Sequence, residues 1–451
     1  MELYHTDDPA RALSLQSASL PIRIGARAFF ILRFDLVQNY LPDNPSLPLA
    51  VVCELVRDHE RVSMRACVSE RVDQLQALAN LEDIDAIAKQ MALAVLDFSA
   101  PWQLLPVNIA KPWGQEIWYT GIEARGLSHV VSDTGSTPLP WALAMNPKVI
   151  LGDQKQPILL KILDPLPDAV YGDLYFELHE KKREVYIVTH IDQTAWPNGD
   201  GAIRFGFSQT KLAQYRSNDG FLTDYREAVK KYQQTRQEID TKIDVLRARS
   251  GIALHAPVTA QQMETWLADI PSTLKLREYE LRTEMDSYST IKTLRVGDVL
   301  SVPCFTPHAL QHGVRVVEFQ TPTYERKILS FAQKVLTQAH WDTDEALAVV
   351  ALQTPEPAPF PVLWDTNGVH IEQIVAFSDF EVLRCFIAPT CGYELPNCNF
   401  YQIVMTVIGE VCCTDILLKA EQASLIPAHS ERITLRNDTH EQAVVLIAKP
   451  V

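Results

Sequence analysis

The chain is poor in positive charge: 41 Lys and Arg stand against 56 Asp and Glu, a formal net charge of -15. That excludes a general nucleic-acid or acidic-membrane surface, since both need clustered cations. A small anion in a locally basic pocket is not excluded. No apolar run approaches the roughly 20 residues of a membrane span, so no membrane contact is expected. The opening Met1-Glu2-Leu3-Tyr4-His5-Thr6-Asp7 lacks the basic and apolar regions of a signal peptide. Cysteine is sparse and scattered, eight residues at 53, 67, 304, 385, 391, 398, 412 and 413 without a Cys-x-x-Cys pair. That argues against a secreted disulfide framework. The adjacent Cys412 and Cys413 lie in an apolar strand-like run and read as core. A cytoplasmic, reduced protein is expected. Low-complexity runs are absent too, and 451 residues at 47% hydrophobic are ordinary globular material, enough for about two or three domains.

What is present centres on one short stretch, Glu177-Leu178-His179-Glu180-Lys181-Lys182-Arg183-Glu184, and a distant partner, Pro303-Cys304-Phe305-Thr306-Pro307-His308. Side chains two apart on a strand point the same way, so Glu177 and His179 can converge. Glu184 opens the apolar run Val185-Tyr186-Ile187-Val188 and can return to the same point from a hairpin neighbour. His308 supplies a second imidazole. Two carboxylates and two imidazoles suit a divalent transition metal, zinc first. The bland alternative is a His179 on a polar sheet face and a His308 that completes a turn.

Around this stretch the chain changes period. Residues 20–68 alternate apolar runs with polar turns and read as strands. Leu75, Leu78, Leu81, Ile84, Ile87, Met91 and Val95 then recur at helical spacing, one long helix or two short ones. Lys111-Pro112-Trp113-Gly114 begins an aromatic segment read mainly as packing, and the Lys161 strand is buried. Residues 209 to about 286 leave the β pattern. Tyr225, Val229, Tyr232, Ile239, Ile243 and Leu246 share one face of a long helix, and Thr259-x-x-Gln262 resembles a capping box. Residues 251–257 separate those helices, residues 331–336 look helical, and the proline-rich stretch 353–361 is the best linker. Strands with turns fill residues 369–451.

The two key stretches resemble the paired cupin motifs. The first reads Gly172, four residues, Glu177-x-His179, four residues, Glu184; the second reads Gly297, five residues, Pro303-x-Phe305, two residues, His308, three residues, His312. Departures are Glu177 for a His, Phe305 for a Gly and His312 for an Asn. The C-terminal strands look like a second cupin without His at the ligand positions, hence without metal. The expected fold is mainly β with helical insertions: two cupin (jelly-roll) barrels plus an α+β N-terminal region. The expected domains are 1–104, of unknown role, a metal-binding cupin over 105–352 with the helical insertion at about 209–286, and a metal-free cupin over 360–451.

This order resembles class I mannose-6-phosphate isomerases. Glu177-Leu178-His179 is similar to that family's Gln-x-His, and Lys182-Arg183-Glu184-Val185-Tyr186-Ile187-Val188 to its Lys-x-Glu-x-x-Tyr-Val-Leu. Residues Pro303 to Ala309 are similar to its Pro-x-Gly-x-x-His-Ala, and Glu318-Phe319-Gln320 with Arg326 to its Arg-bearing segment. The resemblance implies one Zn2+ per chain on Glu177, His179, Glu184 and His308, with Arg326 and Lys182 catalytic. It implies a small sugar phosphate as ligand and interconversion of mannose 6-phosphate and fructose 6-phosphate through a cis-enediol. Glu318, His312 and Lys182 are the candidates for the base. Three departures stand out: Glu177 replaces Gln, only Glu180 and Lys181 separate His179 from Lys182 where the family has a long phosphate-binding loop, and the Ser-Asp before the Arg is missing. The competing expectations are a diverged, non-catalytic sugar-binding cupin and a metal enzyme acting on another substrate.

Overall fold

A computed structural model describes residues 2–253, 258–335, 338, 340–354 and 358–451. Of the expected features, residues 254–257, Leu336 and residues 355–357 of the proline stretch lie outside the described residues. The chain is mainly β, built from several sheets, and divides into two compact units. One comprises residues 1–107, 118–161 and 359–451; the other comprises 108–117 and 162–358.

In the first unit the expected N-terminal strands form a meander, Arg27–Val37, Ser46–Asp58 and Arg61–Ser69, paired antiparallel. The helical spacing after residue 72 resolves into two short helices, Val72–Ala77 and Ile84–Met91, which bury Leu75, Ile84 and Ile87 against Ile31, Val52 and Cys67. Asp83 caps the second helix by accepting from the Asp85 and Ala86 amides. A nine-stranded sheet joins Trp102–Leu105 to the C-terminal strands through its pairing with Ala423–Ile426. A second core, including Val369, Val404, Val445 and Leu435, fills the space between this sheet and a four-stranded one.

The second unit positions the key stretch. Five strands run in the order Ser289–Leu294, Gly201–Phe207, His308–Leu310, Phe176–Leu178 and Lys327–Ser330. A second sheet includes Val299–Val302, Glu184–Ile191 and Val314–Gln320 in that order. One apolar core draws on both sheets: Tyr186, Val188 and Val316 from one, Ile203, Phe205 and Leu310 from the other, closed by the buried Trp113. Trp113 is thus packing, as its setting between Pro and Gly implies.

The opposite face of the five-stranded sheet is covered by helices. Asn218–Arg249 and Ser272–Asp286 lay Phe221, Tyr225, Val229, Tyr232 and Met285 against Phe176, Leu178, Phe207, Ala309 and Leu329. The helical stripe read from the sequence is the buried one, and Ile239 and Ile243 continue it into a small core with Trp266, Ile270 and Leu274. Thr259 caps Ala260–Ala268 through the Gln262 amide, as its spacing predicts. Residues 331–335 are not helical: Phe331 and Val335 are spent on the inter-sheet core, and that packing overrides their spacing.

Candidate metal centre

Strand alternation aims the centre. Phe176 and Leu178 pack toward the helices, so Glu177 faces the space between the sheets. Ala309 packs toward the helices and Leu310 joins the inter-sheet core, which puts His308 on the Glu177 side. The two strands are antiparallel neighbours, with Glu177 opposite His308. Together with His179, which follows the Glu177 strand, they offer one ligand atom each within 4.8 Å of one another.

Glu184 arrives by a different route from the one its spacing predicts. It is not on a hairpin neighbour of Glu177 but opens Glu184–Ile191 in the facing sheet, opposite Val302 and Gln320. The short link 180–183 crosses between the sheets and does not reverse within one. Across that gap the Glu184 carboxylate lies 3.5 Å from His179 Nε2 and 3.1 Å from His308 Nε2.

The imidazole tautomers follow from the backbone. His179 Nδ1 is 2.8 Å from the Glu325 carbonyl and His308 Nδ1 is 3.0 Å from the Thr306 carbonyl. A carbonyl only accepts, so each Nδ1 carries a proton and donates it. His179 therefore turns an Nε2 lone pair into the cluster, and His308 directs its Nε2 at Glu184 Oε2 across 3.1 Å. His179 Nε2 and Glu177 Oε2 are buried there without a hydrogen-bond partner. Lone pairs and carboxylates crowded into one buried place repel one another, and a divalent cation turns that repulsion into bonds. The residues present fit a zinc-type ion.

The surrounding charges are consistent with this. Burial, reinforced by Lys182, lowers the His179 imidazole and keeps it neutral. Burial opposes ionisation of Glu184, but the neighbouring Lys182 outweighs it and holds the carboxyl well below its usual range. Lys182 Nζ lies 2.5 Å from Glu184 Oε1, and Tyr186 donates to Oε2 at 2.9 Å. Burial and the neighbouring Glu184 push the Tyr186 phenol well up. Arg326 Nη1 is 3.6 Å from Glu177 Oε2, and its guanidinium sits 4.5 Å over the Tyr175 ring. Burial pushes that Tyr175 phenol to about 12 despite Arg326.

Of the three candidate bases, Lys182 touches the centre. Glu318 is fully buried on Val314–Gln320, directly across from Tyr186. His312 is engaged elsewhere: its Nδ1 is 2.7 Å from Asp173 and its ring stacks on Trp196.

Sequence reasoning missed Glu325. Its carboxylate accepts the amides of Glu180, at 3.0 Å, and Lys181, at 3.1 Å, while its carbonyl takes His179 Nδ1. One residue thus holds the short link and one imidazole together. No local signal marks it.

The loop 303–307 is also held by its backbone. The Phe305 amide donates to the His179 carbonyl at 2.7 Å, and the Phe305 carbonyl accepts from Ala351 at 2.9 Å. Phe305 stands where the second motif has Gly, and its φ of 67° lies in the left-handed region. For a bulky side chain that conformation costs roughly 1–3 kcal/mol.

No family model matches the chain, and no curated protein matches it in sequence. Solved structures do match in fold. Mannose 6-phosphate isomerase from Bacillus subtilis is similar with a TM-score of 0.52 and 15% identity, over 77% of this chain and 99% of that one. A point variant of phosphomannose isomerase from Salmonella typhimurium has a TM-score of 0.51 and 13% identity, over 78% of this chain and 100% of that one. The likeness is one of fold.

Proposed function

We propose that the chain is a zinc-dependent aldose–ketose isomerase that interconverts mannose 6-phosphate and fructose 6-phosphate through a cis-enediol. In this reading Glu177, His179, Glu184 and His308 hold the ion, one per chain, and Arg326 and Lys182 act on the sugar. The metal-bearing two-sheet region and residues 360–451 are each of cupin type, the second without metal. The observation that carries the proposal is the convergence of Glu177, His179 and His308, with both Nδ1 atoms bound to carbonyls and two cations alongside. The fold shared with sugar-phosphate isomerases supports it.

A bound zinc supplies Lewis acidity toward sugar oxygens. The remaining work falls to this chain. Arg326, partly exposed and beside Glu177, is suited to donate to the oxygens that gain negative charge as the C2 proton leaves. Lys182 is assigned the proton that moves between C1 and C2; its Nζ, paired with Glu184, must release one proton before it can accept the one from C2 and return it at C1. Glu325 holds the 180–181 link in place by accepting both of its amides.

A second reading has its own observation. Glu184 already accepts from Lys182 and Tyr186, so the polar cluster is partly satisfied without an ion. That favours a non-catalytic protein that binds a sugar or its phosphate. Metal analysis of the purified protein, with a coupled assay for fructose 6-phosphate formed from mannose 6-phosphate, decides between them. The isomerase predicts one zinc per chain, turnover lost in His308→Ala and Arg326→Ala, and zinc lost only in His308→Ala. Sugar binding without turnover would favour the second reading, and an unfilled centre in metal-replete protein would sink the first.

A further inference from the structure

We propose that Tyr175 is a positioning residue for Arg326: the face of its ring holds the guanidinium beside the Glu177–His179–His308 group. This deepens the isomerase reading and rests on it. Strand alternation assembles the arrangement. Phe176 packs toward the helices, so Tyr175 and Glu177, two residues apart, share the face between the sheets. On the neighbouring strand Leu329 packs toward the helices and Ile328 joins the inter-sheet core, which turns Arg326 to that same face. The Arg326 guanidinium accordingly lies 4.5 Å from the Tyr175 ring centroid, with Nη1 3.6 Å from Glu177 Oε2.

Arg326 needs such a hold. It ends the irregular run 321–326, outside any helix or strand, and its long side chain has many rotamers to lose. Glu177 alone does not supply the hold: 3.6 Å is a loose pair, and the isomerase reading commits that carboxylate to the ion. A carboxylate partner also offsets the charge that Arg326 brings to the sugar. An aromatic face attracts a guanidinium through its quadrupole and leaves the cation's charge whole. Tyr175 is itself fixed. It is 5% exposed, and its ring meets that of the buried Phe331 with centroids 4.2 Å apart. Phe331 belongs to the inter-sheet core, so the Tyr175 ring has no room to swing and carry the guanidinium with it. A cation fixed in advance stabilises developing negative charge without reorganising at the moment of reaction.

The test compares Tyr175→Leu, Tyr175→Met and Tyr175→Phe with the unaltered holoenzyme, each folded and zinc-loaded. Tyr175→Leu and Tyr175→Met fill space without an aromatic face, and two such variants cover the case in which one fails to fold. Both should lower kcat for mannose 6-phosphate about tenfold or more, while KM and zinc content stay within about twofold. Tyr175→Phe keeps the face and should return kcat to within about threefold of the parent. A ring that serves the core alone would lower the thermal midpoint in the ringless variants and leave kcat per zinc-loaded chain unchanged, and that result overturns the inference. So does a loss of kcat in Tyr175→Phe as deep as in Tyr175→Leu, or a raised KM at unchanged kcat. An active parent with unaffected variants thus sinks this inference alone. If the parent itself turns over neither sugar phosphate, the isomerase reading fails and this inference falls with it.

Discussion

Glu325 does with one carboxylate and one carbonyl what a longer loop would otherwise have to do. It takes the Glu180 and Lys181 amides and His179 Nδ1, and so orients one imidazole of the candidate centre. Glu325→Ala removes the carboxylate that clamps the link but keeps the carbonyl that takes His179 Nδ1, so it should weaken zinc binding by about tenfold at most, read by competition with a chelating dye, with the fold retained. An unchanged affinity would mean that the 180–181 link holds itself. Glu177, His179 and His308 were legible as a group because strand alternation is a local rule and the polar residues break an apolar pattern. Glu325 was not, since its partners lie 144 to 146 residues away and nothing in its own neighbourhood sets it apart.

The helices behind the Glu177 strand are legible for the opposite reason. Tyr225, Val229 and Tyr232 repeat with the helical period, and burial of that one stripe leaves charged residues outside. Phe221 is fully buried there, edge-on to Phe207 at 5.3 Å. Phe221→Ala should cost about 3–5 kcal/mol, measured as a shift in denaturant midpoint, because the surrounding helix and sheet collapse only partly into the gap. Thr259 is a smaller matter. Its hydroxyl satisfies one amide at an exposed helix start, so Thr259→Ala should cost about 0.5–2 kcal/mol and leave activity alone. Where local period and core demand conflict, the core wins. Residues 331–335 look helical, yet they run irregularly because Phe331 and Val335 reach the inter-sheet core.

Across the whole molecule, buried thiols set an alkaline limit. Burial pushes Cys67, Cys385 and Cys413 each to about 12, and Cys53 well up as well. In the unfolded chain a thiol ionises near about 8.5. The folded state thus holds protons that the unfolded state releases, and stability falls as pH rises from the unfolded value toward the folded one. The thermal midpoint, measured under reducing conditions, should be steady below about pH 8 and fall progressively above it. Cys385→Val should make that fall shallower. A midpoint that rises between pH 8.5 and 10 would contradict the burial of these groups.

By itself, the sequence determined the elements: strands where apolar residues alternate, helices where they recur on one stripe, and a His-and-carboxylate group at the head of two strands. These follow from short-range rules, since a side chain's direction is set by its own backbone and its burial by the face it shares. Tertiary structure alone decided that Glu184 reaches the centre from the facing sheet, that Glu325 clamps the link and that His312 belongs to Asp173 and Trp196. It also decided that the Gly-like position 305 is left-handed while holding phenylalanine. Each of these depends on which distant segments meet, and no residue carries that information in its immediate neighbours.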